Sequence, residues 1–148
     1  LAEVSRAFRG MLPNLSSIVN VADSHSAASF ESSLYDTRPV EPDPEGLLAA
    51  TNHFVDSSWS LSQMDDRVGG MTLARRRNLL SLGEKHKGFF SPETMMKIMD
   101  VPLEEGGATV DGTIYQVVAV PGELKLWLKV PGFRDWTGLE LAPLFGKE

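Results

Sequence analysis

The sequence predicts an α+β fold, and three observations carry that prediction. Elements come in blocks, a helix, several short strands, two helices and then a hairpin, where a βαβ repeat would alternate them. Helix start and stop residues cluster between positions 72 and 102. The final third shows period-two alternation around a Pro-Gly turn.

The first stretch, LAEVSRAFRGML, predicts an amphipathic helix with Val4, Ala7, Phe8 and Met11 on one face. Glu3 and Arg9 interrupt any apolar run there, so it does not read as a secretion signal. Two short extended runs follow, Ser17–Ala22 and residues 27–31, flanking the small polar turn from Asp23 to Ser26. Pro39, Pro42 and Pro44 then confine residues 34–46 to an edge strand or loop. The apolar run that ends on Thr51, Asn52, His53 and Phe54 reads as a buried strand, because its apolar residues do not alternate.

Residues 55–70 are rich in small polar side chains and read as a surface loop, with Trp59 and Met64 as the local candidates for a substrate wall. A helix capped by Thr72 and closed by Gly83 is expected next. A second starts on Ser91 and Pro92 and stops at Val101-Pro102. In the hairpin, residues 113–120 are apolar on both faces, which predicts a strand covered above and below. Its partner alternates Leu124, Leu126, Leu128 and Val130 with Lys125, Trp127 and Lys129. The tail from Trp136 to Phe145 is expected to close over the sheet edge.

Composition narrows the function. A chain of 148 residues with 42% apolar side chains supports one domain with a core. A net charge of −6 argues against a nucleic-acid partner, and the one basic cluster, Ala74 to Arg77, reads mostly as a solvated helix face. No apolar stretch reaches the roughly 20 residues of a membrane-spanning helix. The absence of cysteine excludes disulfides, thiolate metal sites and a cysteine nucleophile within this chain. It leaves the compartment open, leaning slightly to the cytoplasm.

Among chemistry-bearing residues, His53 and Asp56, with Asp65 and Asp66 further on, lack a second His or Cys at a matching interval, so no metal and no cofactor is expected. Gly69 and Gly70 precede a helix start but lack phosphate-loop spacing and its lysine, and a hinge is the favoured reading. Glu104, Glu105 and Asp111 sit in a glycine-rich, solvated connection. Asn52 and Arg75 remain. A side-chain amide at the end of a rigid element can donate to an oxyanion, and an arginine in the next helix can fix a carbonyl or carboxylate. A structural asparagine with a surface arginine explains the same two residues.

The runs SIVNVADSHSAASFESS and VEPDPEGLLAATNHF resemble the linear amide C–N hydrolases, the group of choloylglycine hydrolases and acyl-CoA:6-aminopenicillanate acyltransferases. TLARRRNLL is similar to that group's Ser-x-x-Arg helix start, and residues 113–130 to its closing hairpin. The His-Phe pair at 53–54 fits the acyltransferase-like branch better. The resemblance covers roughly residues 15–145.

That resemblance implies an αββα sandwich of the N-terminal-nucleophile kind. An exposed cysteine there attacks an amide and forms an acyl-enzyme, which water or an amine resolves. It implies catalytic roles for Asn52, on the oxyanion, and for Arg75, beside the nucleophile. His53, Phe54 and Trp59 would bind substrate, with Thr51 and Thr72 supporting. Thr72 stands where the group has Ser, and Arg76 where it has an aromatic. The cysteine would lie upstream of everything matched here, so the chain is expected to be the C-terminal portion of such an enzyme, inactive alone. Its expected partners are the missing N-terminal half or a second copy, and a small-molecule amide or acyl donor. The alternative is a non-catalytic binding module with the same sandwich.

Overall fold

The computed structural model describes residues 1–10, 14–59, 65, 67 and 70–145. The fold is α+β: three α-helices and two small antiparallel sheets. Helix α1 spans Ala2–Gly10, α2 Thr72–Lys85 and α3 Pro92–Asp100. The first sheet runs β1 (Ser17–Ala22), β2 (Ala27–Ser32), β3 (Thr37–Val40). The second runs β4 (Gln116–Val120), β5 (Lys125–Val130), β6 (Arg134–Glu140). No helix among the described residues is long and apolar enough to cross a membrane.

Short polar turns set the register of the first sheet. Asp23 accepts from the backbone N–H groups of His25 and Ser26, which folds residues 23–26 tightly and places Ala22 opposite Ala27. Ser33 does the same for the next turn, accepting from the N–H groups of Tyr35 and Asp36. Pro39 is accommodated because β3 is an edge strand, paired only with β2.

The central strand β2 is buried from Ala28 to Ser32. Side chains alternate across a strand, so Ala28 and Phe30 face one way and Ser29 and Glu31 the other. Phe30, 0% exposed, stacks on Phe8 of α1 at 4.5 Å between ring centroids. This contact is where the amphipathic helix meets the sheet. Met11, expected on the same helix face, lies outside the described residues.

Three expectations about residues 47–85 need correction. Residues 47–50 form no strand. They are an extended segment, with an isolated Thr51–His53 bridge at its end. Its apolar residues are taken up by helix packing: Leu47 fills the space where a Cβ on Gly83 would sit, 2.6 Å from its Cδ1. The same contact explains why α2 does not end at Gly83. That glycine makes room for Leu47, and the helix continues to Lys85 with His86 at its C-cap. Thr72 is the first helical residue, not the cap. Met71 takes the cap position in the left-handed conformation, φ 58°.

The second sheet differs too. β4 starts only at Gln116 and is covered on one face, with Gln116 and Val118 buried and Val117 and Ala119 exposed. β5 shows no clean alternation, because every residue in it is half-buried. The tail does close the sheet edge, by adding β6 as a third strand against β5. Lys129 and Trp136 both bond Asp100 at the end of α3, tying this sheet to the helix. The lysine's pKa is raised, chiefly by that hydrogen bond to Asp100.

Phe30→Ala removes a fully buried ring and its partner's stacking surface. A loss of about 3–5 kcal/mol is expected, read as a lower urea midpoint with little change in slope.

Candidate functional site

The site begins with a buried acid. Glu31, 2% exposed, accepts from the backbone N–H groups of Val55 and Asp56 and from the indole N–H of Trp59 at 2.9 Å. A carboxylate can accept at both oxygens, and three donors from one short segment satisfy it without a counter-cation. The segment is pinned further. Trp59 lies 5.0 Å from the Phe54 ring, and the Arg38 guanidinium stacks over the Trp59 ring at 4.0 Å. Asp56 accepts from the Ser58 hydroxyl and backbone N–H, which hold its pKa below the usual carboxylate value. The chain therefore leaves residues 51–54 in a fixed direction.

A second set of bonds joins the same residues to α2. The Thr51 hydroxyl donates to the Thr72 carbonyl at 2.9 Å. His53 Nδ1 lies 3.1 Å from the Thr51 hydroxyl and 3.0 Å from that of Thr72. Since Thr51 has spent its hydrogen on the carbonyl, its oxygen accepts from the ring, which assigns the proton to Nδ1. Thr72 is fully buried. One turn on, Arg76 donates from Nε to the Ala49 carbonyl. The basic cluster is thus less solvated than expected, with only Arg77 of its three arginines exposed.

These constraints bring Asn52 and Arg75 together. Arg75 Nη1 donates to Asn52 Oδ1 at 3.3 Å. A guanidinium has no acceptor, so the amide must present its oxygen to it. The Asn52 NH₂ group, with two donors, is left without a hydrogen bond to the described residues. Arg75 is under-satisfied as well: its Nε is buried with no partner among the described residues.

Both residues line an open cleft of about 410 Å³, with Ser16, Ser17, Ile18, Asn20, Ala50, Thr51 and Phe54. Ile18 and Asn20 lie opposite Glu31 and Ser29 in the β1–β2 register, so the cleft sits on the Glu31 face of the first sheet. Among the described residues, no carboxylate and no imidazole lines it.

Of the sequence-predicted site residues, the cleft gathers Asn52, Arg75, Phe54 and Thr51. His53 and Thr72 join each other behind it, and Trp59 belongs to the Glu31 bond set. Met64 lies outside the described residues, as do Gly69 and Asp66. Among the described residues, the carboxylates close enough to share a cation are Asp43, Glu45 and Glu84, all exposed. Lys87 already pairs with two of them. Sequence reasoning missed Ser16, Ser17 and Asn20, which carry no chemical signature of their own. It also missed Glu31 as the anchor, although an acid amid the small residues of AASFES is the signal of a buried acceptor.

No family model, no curated protein and no solved structure matches this chain.

Glu31→Ala strands three buried donors and should lower stability by about 3 kcal/mol. Glu31→Gln keeps one acceptor oxygen and should cost less than half of that, by chemical denaturation.

Proposed function

We propose that this chain is the acyl-binding, C-terminal portion of an enzyme that cleaves or transfers linear amide bonds, built on an αββα sandwich of the N-terminal-nucleophile kind. The observation that carries it is the Asn52 amide, turned by Arg75 so that its two N–H donors have no bond to any described residue and stand at an open cleft. Donors fixed in advance stabilise the charge that develops on a carbonyl oxygen as it becomes tetrahedral. Arg75 keeps its charge throughout and prevents the amide from turning over. The attacking sulfur comes from outside this stretch, since the chain has no cysteine. Attack forms the acyl–sulfur bond and expels the amine, and water or a second amine then takes the acyl group.

The exposed apolar side chains on the second sheet, Val117 and Leu139, and beside it, Tyr115 and Phe133, support a partner that completes the layers. That partner is the nucleophile-bearing half or a second copy. One observation favours a second reading, a non-catalytic binding module: among the described residues, no imidazole or carboxylate lines the cleft beside the Ser16 and Ser17 hydroxyls to activate them.

In the assembled enzyme, Asn52→Ala should reduce kcat by about 10²–10³, with stability nearly unchanged. Asn52→Asp keeps the shape and the Arg75 contact but removes both donors, and should reduce kcat at least as far. Unchanged turnover in both variants excludes the oxyanion role. On size-exclusion at micromolar concentration the isolated chain should elute larger than a monomer, and a clean monomer would count against the pairing.

A further inference from the structure

A second hollow of about 410 Å³ adjoins the cleft, and its character is different. Ala22, Ala27, Leu47, Leu48, Phe90 and Met95 make its lining predominantly apolar. The cleft and the hollow share Asn20 and Ala50 in their walls. A polar compartment thus opens beside an apolar one across a neck made of one β1 residue and one residue of the 47–50 segment.

The charge at the polar end is unbalanced. Among the described residues no carboxylate lies within ion-pair distance of Arg75. Among the described residues its guanidinium bonds a neutral amide oxygen, Asn52 Oδ1. A half-buried guanidinium with no counter-anion among the described residues, next to Asn52 N–H groups that none of them accepts, complements a carboxylate that can accept from both. The chain carries a net charge of −6, so this local positive site is not a general attraction for anions.

We propose that the two compartments together bind an amphiphilic monocarboxylate. The carboxylate lies against Arg75 and Asn52, and the unbranched or aryl tail passes the Asn20–Ala50 neck into the hollow under Phe90 and Met95. This binding needs no nucleophile, so it stands or falls separately from the amide-cleaving reading of the same cleft.

The geometry makes the tail and the head separately testable. Each methylene that the hollow takes in tightens binding about fourfold. Calorimetric titration of the chain with octanoate, butanoate and octylammonium provides the test. Octanoate should bind at least about tenfold more tightly than butanoate, and octylammonium, with the same tail and the opposite charge, should not bind.

Ala50→Leu, which narrows the neck, should weaken octanoate more than butanoate. Arg75→Met should weaken both acids about tenfold or more. Equal affinity for octanoate and butanoate overturns the tail assignment, and equal affinity for octanoate and octylammonium overturns the head assignment. Both readings come from unaltered protein, so a variant that fails to fold does not remove the test. Octanoate binding with turnover insensitive to Asn52 would retain this site and exclude the catalytic one.

Discussion

The Glu31 carboxylate is the constraint on which the site depends. It sits in the middle of the first sheet, where an ion would be costly, and is stable there because residues 55–59 wrap three donors around it. The bond set works in both directions. It neutralises a buried polar group, and it fixes the exit direction of the chain immediately after Asn52. An apolar residue at 31 would pack but would leave that segment without a reason to lie where it does.

From that anchor the polar chemistry is assembled by backbone and hydroxyl contacts. Thr51 and His53 meet the buried Thr72, Arg76 reaches the Ala49 carbonyl, and Leu47 packs onto Gly83. Each contact joins the segment that carries Asn52 to the helix that carries Arg75. Their side-chain pairing is therefore a product of several supports, none of which lines the cleft except Thr51. The free donors of Asn52 follow from one chemical fact, that arginine only donates.

Much of the fold was legible from local chemistry. The Asp23 turn, the proline edge strand, the Ser91-Pro92 helix start and the Pro121-Gly122 turn each have a one-residue cause, and each appears. What misled was the apolar run before Thr51. Continuous apolar residues fit a buried strand or any segment pressed between other elements, and periodicity does not separate them. Gly83 misled for a related reason. A glycine near a helix end signals a stop, but the same missing Cβ also admits a neighbour, and only the packing of Leu47 distinguishes the two. For the site, Asn52 and Arg75 were visible as residue types, whereas Ser16, Ser17 and Asn20 entered through strand pairing, which no local pattern specifies.

The linkage between residues 47–53 and α2 has a mechanical consequence. Because that segment and the helix are joined at four separate points, they form one jaw of the cleft, the jaw that carries both Asn52 and Arg75. The opposite jaw is β1, an edge strand paired on one side only. For the proposed guest, widening falls to the β1 side, which puts discrimination by girth on Ser16, Ile18 and Asn20, away from the residues that supply the charge.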